Sequence, residues 1–187
     1  TQQESLVAVT LAAGGGTVGV AGAVGVVVLS TQAWAKTGAH VTITAGNNAA
    51  FLTRDDTKVT GITGGAAGGF VGVGVGVYVL DLTKDTESTI ASTSSVTGNA
   101  GTTDALGGIS DGTVDLTTGF GFAPFRGVAV QAQSSENVFG LVISIGGGFV
   151  GVAVPVGVTL LHVTTAATVA GTISSGRDVS ISALDDM

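Results

Sequence analysis

The chain has 187 residues, of which 32 are glycine and none is cysteine, and its formal net charge is -7. A disulfide scaffold is therefore excluded, and the acidity argues against nucleic-acid binding, which needs clustered lysine and arginine. Charged residues make up only 10% of the chain and hydrophobic residues 44%, which excludes intrinsic disorder. We expect a single domain over residues 1–187, long enough to bury a sizeable core.

Three long segments carry no Asp, Glu, Lys or Arg, namely residues 5–35, 59–80 and 137–176. Their length would suit a membrane helix, but each glycine lowers helix stability by about 1 kcal/mol relative to alanine. Valine and glycine alternate strictly over Val71–Val77, and a period of two is typical of a β-strand. We therefore predict strands in these segments and expect no membrane insertion.

A glycine-rich repeat organises the chain and predicts where the strands lie. Its copies begin at Gly14–Val20, Gly68–Val73 and Gly146–Val152. Each copy continues through alternating small and apolar residues, and a polar stretch rich in Thr and Ser follows. In the second copy this stretch is Thr83–Thr89, where Lys84 stands beside acidic residues and predicts a solvated bend. Short β-branched strands come next, and helices have almost no support, so the fold class is all-β.

The spacing of the copies indicates the size of one coil. Val18 and Val71 are 53 residues apart, and Val71 and Val150 are 79 apart. These distances are close to two and three units of about 26 residues, and they predict a parallel β-helix (β-solenoid) with coils of that length. The intervening coils would be degenerate, as at residues 114–117. About seven such coils would form a rod roughly 34 Å long.

Side chains alternate between two faces in each glycine-rich strand. In the second copy one face carries Val71, Val73, Val75, Val77 and Val79. The opposite face carries Gly72, Gly74, Gly76 and Tyr78. We expect the valine side to form the core, and the glycine side to be flat enough for another strand layer, a neighbouring chain or only water to pack closely on it. Pro155 has no backbone donor and predicts an edge, a bulge or a bend.

One pattern matches a cofactor motif. Gly14, Gly16 and Gly19 fit G-x-G-x-x-G, the dinucleotide fingerprint. The same pattern recurs from Gly146, and strand-like alternation follows it where the fingerprint requires a helix. We interpret it as a feature of the repeat, and we predict neither a cofactor nor catalytic residues.

The candidate metal ligands are Asp104, Asp111 and Asp115, which lie in a turn-rich segment. Calcium prefers several oxygen ligands on such a loop. Gly107–Asp111 lacks one glycine of the calcium-binding nonapeptide repeat, so aspartates that are simply solvated in turns are the alternative.

Aromatic side chains cluster in Gly119–Arg126, the most distinctive non-repetitive part of the chain. Phe120 and Phe122 should share one face of a strand, and Phe125 follows Pro124. We interpret these three phenylalanines as core or as contacts with another subunit. A ligand patch is the alternative.

The repeat resembles those of a known class of protein. The unit at residues 68–73, the alternating Val/Gly/Ala run after it, the Thr/Asp-rich bend, and the segment Val179–Asp186 resemble repeats of large secreted bacterial adhesins, filamentous haemagglutinin-like and leukotoxin-like. The resemblance covers most of the chain except residues 99–126. It implies a right-handed parallel β-helix, export to the bacterial cell surface, and a role as a stalk or adhesive fibre without catalytic residues.

These observations lead to a structural hypothesis. Bare solenoid ends present unpaired backbone groups that pair with another chain, so we expect end-to-end association, with further copies or with further repeats of a longer chain. The alternative is a binding module for a glycan or a host surface protein. An enzyme acting on polysaccharide would need carboxylates clustered in a groove, and the aspartates are spread along the chain, so we do not predict an enzyme.

Overall fold

The computed structural model describes residues 1–115 and 117–187, and these residues form twelve strands and no helix. The strands are β1 (Gln2–Gly15), β2 (Val18–Lys36), β3 (Thr42–Ala45), β4 (Ala49–Gly68), β5 (Val71–Ile90), β6 (Ser95–Gly98), β7 (Ser110–Asp115), β8 (Gly119–Phe122), β9 (Gly127–Gly147), β10 (Val150–Val169), β11 (Thr172–Ser175) and β12 (Asp178–Asp186). The abundance of valine, threonine and glycine explains this, since these residues favour strands or disfavour helices. Leu116, part of a predicted degenerate coil, lies outside the described residues.

Ten of the strands form three parallel sheets. Sheet A has the order β1-β4-β9-β12, sheet B the order β10-β5-β2, and sheet C the order β11-β6-β3. The chain visits the sheets in the order A, B, C and then returns to A, so each circuit adds one strand to each sheet. This all-β arrangement of parallel sheets is compatible with a β-helix. Pro155 lies in β10, an edge strand of sheet B, as its missing backbone donor predicts.

One circuit of the chain through the three sheets contains at least about twice as many residues as the predicted coil. Val18 pairs directly with Val71, and Val71 pairs directly with Val150, so successive copies of the repeat are a single circuit apart. The second circuit is longer than the first because the β7–β8 hairpin is inserted between β6 and β9. The predicted coil length is therefore wrong. Instead of seven coils there are three circuits and the first strand of a fourth, and sheet A is only about 15 Å deep at 4.8 Å per strand.

The prediction that the valine side forms the core is also wrong. In β5 the glycines at 72, 74 and 76 are buried, whereas the alternating valines face outward. Next to the glycine-rich turns, sheets A and B approach each other so closely that the inner residues are glycine or alanine. A Cβ on Gly74 would lie 2.7 Å from the carbonyl oxygen of Gly65 and closer still to that of Ile145. Only glycine fits between backbones at this separation, and the valines are consequently displaced to the outside.

Larger side chains fill the interior farther from the glycine-rich turns. Tyr78 and Leu80 of β5 pack with Val27 and Val59 in one buried apolar cluster. A second cluster lies toward sheet C, where it contains Ala49, Ile90, Val96, Val128 and Val130. The fold therefore has two halves. The turn half is filled by glycine and alanine, and the other half is filled by apolar clusters with polar side chains between them.

Candidate interaction surfaces

The glycine-rich turns stack on one another at one end of the molecule. Gly16, Gly69 and Gly148 occupy equivalent turns with φ of 144°, 158° and 139°, a conformation that favours glycine. The turns join strand to strand, so the G-x-G-x-x-G pattern does not open a helix here, in agreement with its interpretation as a repeat feature. Phe70 and Phe149 stack at these turns with ring centroids 5.3 Å apart.

The outer side of sheet B in the turn half is covered by valine. We call this surface the valine face; its members are Val18, Val20, Val24 and Val26 of β2, Val71, Val73, Val75, Val77 and Val79 of β5, and Val150, Val152, Val154, Val156 and Val158 of β10. Four rows across the sheet carry valine in all three strands, and in the row of Val75 and Val154 the β2 position is Gly22. Exposure of the members in the two outer strands ranges from 40% to 66%. The fold therefore leaves a regular apolar grid in solvent.

The outer side of sheet A is apolar in the same half but less regular. Leu11, Ile143 and Ile145 border a shallow groove above Gly64 and Ala66, with a volume of about 360 Å³. Both outer sides of the turn half are thus free of charge.

The outer side of sheet B becomes polar where the valines end. Asp81, Asp85 and Glu87 follow the valines along the same side of β5. Trp34 Nε1 donates a hydrogen bond of 3.1 Å to Asp85 Oδ2, and Lys36 Nζ lies 2.5 Å from Glu87 Oε2. Hydrogen bonds from Lys36 and Thr89 hold the pKa of Glu87 below its usual range. Acidic groups therefore mark one end of sheet B.

A buried lysine lies between the sheets behind this polar surface. Lys84 Nζ lies 2.6 Å from Glu136 Oε1 and 3.6 Å from Asp55 Oδ1, and all three side chains are at most 1% exposed. The ammonium also donates to the carbonyl oxygens of Asp55 and Ser135, and Thr31 Oγ1 donates to Asp55 Oδ2. The predicted solvated bend at Lys84 is wrong, because strand alternation continues through Leu82 and points Lys84 inward.

Asp185 of β12 extends this cluster to the last strand of sheet A. Partial burial and the neighbouring Glu136 carboxylate together raise the pKa of Asp185 to about 7. Glu136 Oε2 is buried and has no hydrogen-bond partner among the described residues. The interior at this end thus carries more carboxylates than Lys84 neutralises.

The structure does not bring the three calcium candidates together as a ligand set. Asp111 accepts hydrogen bonds from Thr113 N and Oγ1, and Asp115 accepts them from the backbone of Thr117 and Thr118. These bonds lower the pKa of both aspartates. Asp104 instead accepts from Thr102 Oγ1. Within residues 1–115 and 117–187, no group of three or more His, Cys, Asp or Glu side chains is placed to hold a metal ion.

The three candidate phenylalanines belong to the inserted hairpin, which packs on the outer side of sheet A. Phe120 is buried and Phe122 is 46% exposed. The Arg54 guanidinium of β4 lies 5.8 Å from each of these two rings, so they share a face as the alternation predicts. Phe125 pairs with Leu106 across the base of the hairpin. Phe120 therefore serves as core, and Phe122 borders solvent.

The inner side of β10 is open, unlike the inner sides of β2 and β5. In β5 the inner residues from Gly72 to Leu82 are buried, whereas the aligned residues from Gly151 to Leu161 of β10 are exposed. The reason is that β12 pairs only with Gly127–Ser135 of β9, so none of the described strands covers the inner side of β10 over Gly151–Leu161.

No protein-family model matches the chain, and neither the curated proteins nor the solved structures contain a match. In the part of the chain that the structure describes, no helix is long and apolar enough to cross a membrane. Sequence reasoning missed the exposed valine face and the buried Lys84 cluster. Unbroken alternation through Leu80, Leu82 and Lys84 was the signal for the cluster.

Proposed function

We propose that the chain is a structural β-solenoid segment of an extracellular bacterial surface fibre or adhesin and that it associates end to end. The observation that carries this proposal is the open inner side of β10, next to the unpaired edges of the three parallel sheets. Unpaired strand edges are templates for further strands. The extracellular bacterial setting is supported by the resemblance of the glycine-rich repeat to adhesin repeats.

The two ends of the strand stack are complementary in register. Through β4, Gln2–Gly15 of β1 align with residues 134–147 of β9, which is nearly the stretch that β12 leaves open. A further β1 placed there would lie opposite the inner side of β10. Its inner residues include Ala8, Ala12 and Gly14, which are small enough for the close sheet spacing that Gly151 and Ala153 allow. The added strand could come from a second copy or from further repeats of a longer chain.

A charge on the open inner side should block the stacking. Ala153 is exposed in the single chain, but the strand of the next copy would cover it in a stack. Ala153→Lys therefore places an ammonium where that strand would pack. Thr164→Lys is the matched control, since Thr164 is exposed on the outer side of the same strand. We expect negative-stain electron microscopy to show filaments for the wild type and for Thr164→Lys, and short particles for Ala153→Lys. Short particles for the wild type at every concentration would contradict self-association.

A disulfide can test the register of the contact. Ser30 aligns with Thr83 and Thr83 with His162, so Ser30 of one copy would lie beside His162 of the next, within disulfide reach. The chain has no cysteine of its own. Under oxidation, Ser30→Cys with His162→Cys should give a ladder of covalent multimers. Ser30→Cys with Thr168→Cys, about 20 Å out of register, should not, and equal ladders would refute the register.

A binding module for a glycan or host protein remains the second candidate because of one groove. Leu52, Arg54, Phe122 and Gln133 line a depression of about 300 Å³ beside the hairpin, which combines an aromatic ring with hydrogen-bond donors. If it binds glycans, Phe122→Ala should abolish retention on a glycan array, whereas Phe149→Ala, which removes another exposed ring, should not. No retention of the wild type would remove this candidate.

A further inference from the structure

The valine face is large enough to be an interface. It is five positions long in the central strand and three strands wide, roughly 30 Å by 14 Å. With the exposures given above, it offers on the order of 800 Å² of accessible area, which is what each partner buries in a standard interface. Monomeric proteins rarely leave contiguous apolar patches of this size exposed.

The shape of the valine face fits a second copy of itself. All its side chains are the same size, and the rows repeat about every 6.7 Å along the strands and 4.8 Å across them. Two such grids can interdigitate, because the ridges of one match the grooves of the other at a spacing of about 10 Å, which is usual for packed sheets. The outer side of sheet A, with its groove above Gly64, lacks this regularity.

Charge determines the orientation of the two copies. Asp81 and Asp85 continue the outer side of β5 beyond the valines, and Glu87 follows with its charge paired to Lys36. If the strands of the two copies ran in the same direction, these acidic rows would face each other and repel. With the strands antiparallel, the valine faces still overlap and the acidic rows point to opposite ends.

We propose that two copies of the chain pair through their valine faces, with strands antiparallel, around a two-fold axis that runs along the strand stack near Val75 and Val154. Such a contact is isologous and closed. It buries one valine face of each copy and leaves the edges of all three sheets free. Lateral pairing therefore does not depend on end-to-end association, and the two can be separated by mutation.

The test uses analytical ultracentrifugation of the Ala153→Lys chain at neutral pH and 0.15 M salt, so that filament growth does not interfere. Val75→Lys introduces a charge at the centre of the valine face. Thr83→Lys is the matched control, eight positions further along the same side of the same strand. We expect a dimer whose Kd rises at least about a hundredfold with Val75→Lys, which buries two unpaired charges, and changes less than threefold with Thr83→Lys.

Two results would overturn the proposal: a monomer at 100 μM without the Val75 change, or a dimer that Val75→Lys leaves intact. A monomer that floats with neutral phosphatidylcholine vesicles, and loses this with Val75→Lys, would identify the face as a lipid surface instead. If Val75→Lys does not fold, Val24→Lys at the 63% exposed edge position replaces it. If the wild type forms no filaments, the dimer measurement can still be interpreted, because it is made on the Ala153→Lys chain, which cannot stack.

Spin labels test the orientation. With Thr83→Cys labelled, the antiparallel pair places the two labels about 50 Å apart, since each lies about 26 Å from the axis. A parallel pair would place them within about 20 Å. A short distance would refute the two-fold arrangement, even if a dimer forms.

Discussion

Replacing Gly74 by alanine should destabilise the fold, whereas the same replacement at Gly22 should not, because the two glycines face opposite sides of sheet B. Gly74 lies on the inner side of β5 and is buried, and Gly22 lies on the outer side of β2 and is exposed. The two changes add the same methyl group to strands of the same sheet. Any difference between them therefore reports which side faces the interior.

The expected size follows from the space at each site. A Cβ at Gly74 would be 2.7 Å from Gly65 O and closer to Ile145 O, both backbone atoms of sheet A, whereas a Cβ at Gly22 meets no atom within 4 Å. Sheets A and B would have to separate by roughly 1 Å, and overpacking of this kind costs about 3 kcal/mol at the upper end of its usual range. Gly22→Ala should instead stabilise by about 0.5 kcal/mol, because alanine restricts the unfolded chain.

Urea unfolding monitored by circular dichroism measures both values by linear extrapolation. The measurement is made in the Ala153→Lys background, which prevents end-to-end association, and at a concentration at which sedimentation shows no lateral dimer, so that association does not contribute to stability. If Gly22→Ala cost as much as Gly74→Ala, or more, the assignment of glycines to the inside and valines to the outside would be refuted.

Three further changes probe the interior. Lys84→Met should lower the free energy of unfolding by about 3–5 kcal/mol, because it leaves Asp55 and Glu136 buried without their cation; unchanged urea midpoints would contradict the buried cluster. Tyr78→Phe removes a buried hydroxyl without a hydrogen-bond partner among the described residues and should raise the free energy of unfolding by about 1 kcal/mol. The raised pKa of Asp185, about 7 against an ordinary 3.8, gives stability that is fully present below pH 3.8 and is lost as the pH rises through 7. Asp185→Asn should flatten this fall between pH 4 and 7, and an equal slope in both proteins would contradict it.

The sequence predicts the type of structure well because the signals for it are local. Strict alternation of valine and glycine indicates strands, recurrence of the unit indicates parallel stacking, and Pro155 indicates an edge. Residues 99–126, which stand outside the repeat in the sequence, contain the inserted hairpin. The coil length could not be predicted because the insertion lengthens one circuit. The separations from Val18 to Val71 and from Val71 to Val150 therefore suggest a shorter repeating coil, which the fold does not contain.

The sidedness of the strands could not be predicted from alternation alone. A period of two separates two faces, but which face is buried depends on the distance between the sheets. When both facing strands carry glycine at aligned positions, as Gly65 and Gly74 do, their backbones can meet and hydrophobicity no longer decides. The common face of Phe120 and Phe122 could be predicted from alternation, because two residues that are two positions apart share a strand face whichever side is inside.

End-to-end association should depend on pH through the carboxylates at the end of the strand stack. Glu4 aligns with Thr57 and Thr57 with Glu136, so a stacked copy would bring its Glu4 beside Glu136. Lys84 is already shared by Asp55 and Glu136, and Asp185 adds a further carboxyl. Two ionised carboxylates repel, whereas a protonated Glu4 could donate to Glu136 Oε2, which is buried and unpaired among the described residues.

Filaments should therefore be longer at pH 5 than at pH 8, and Glu4→Gln, whose amide donates at any pH, should form them equally at both. Light scattering against pH measures both, and Asp104→Asn, which removes one negative charge at an exposed position outside the contact, is the control for net charge. If Glu4→Gln shortened the filaments, or if wild-type length did not vary with pH, Glu136 would not lie at the contact. The register in which β1 is placed beside β9 would then have to be abandoned, while lateral pairing through the valine face would be unaffected.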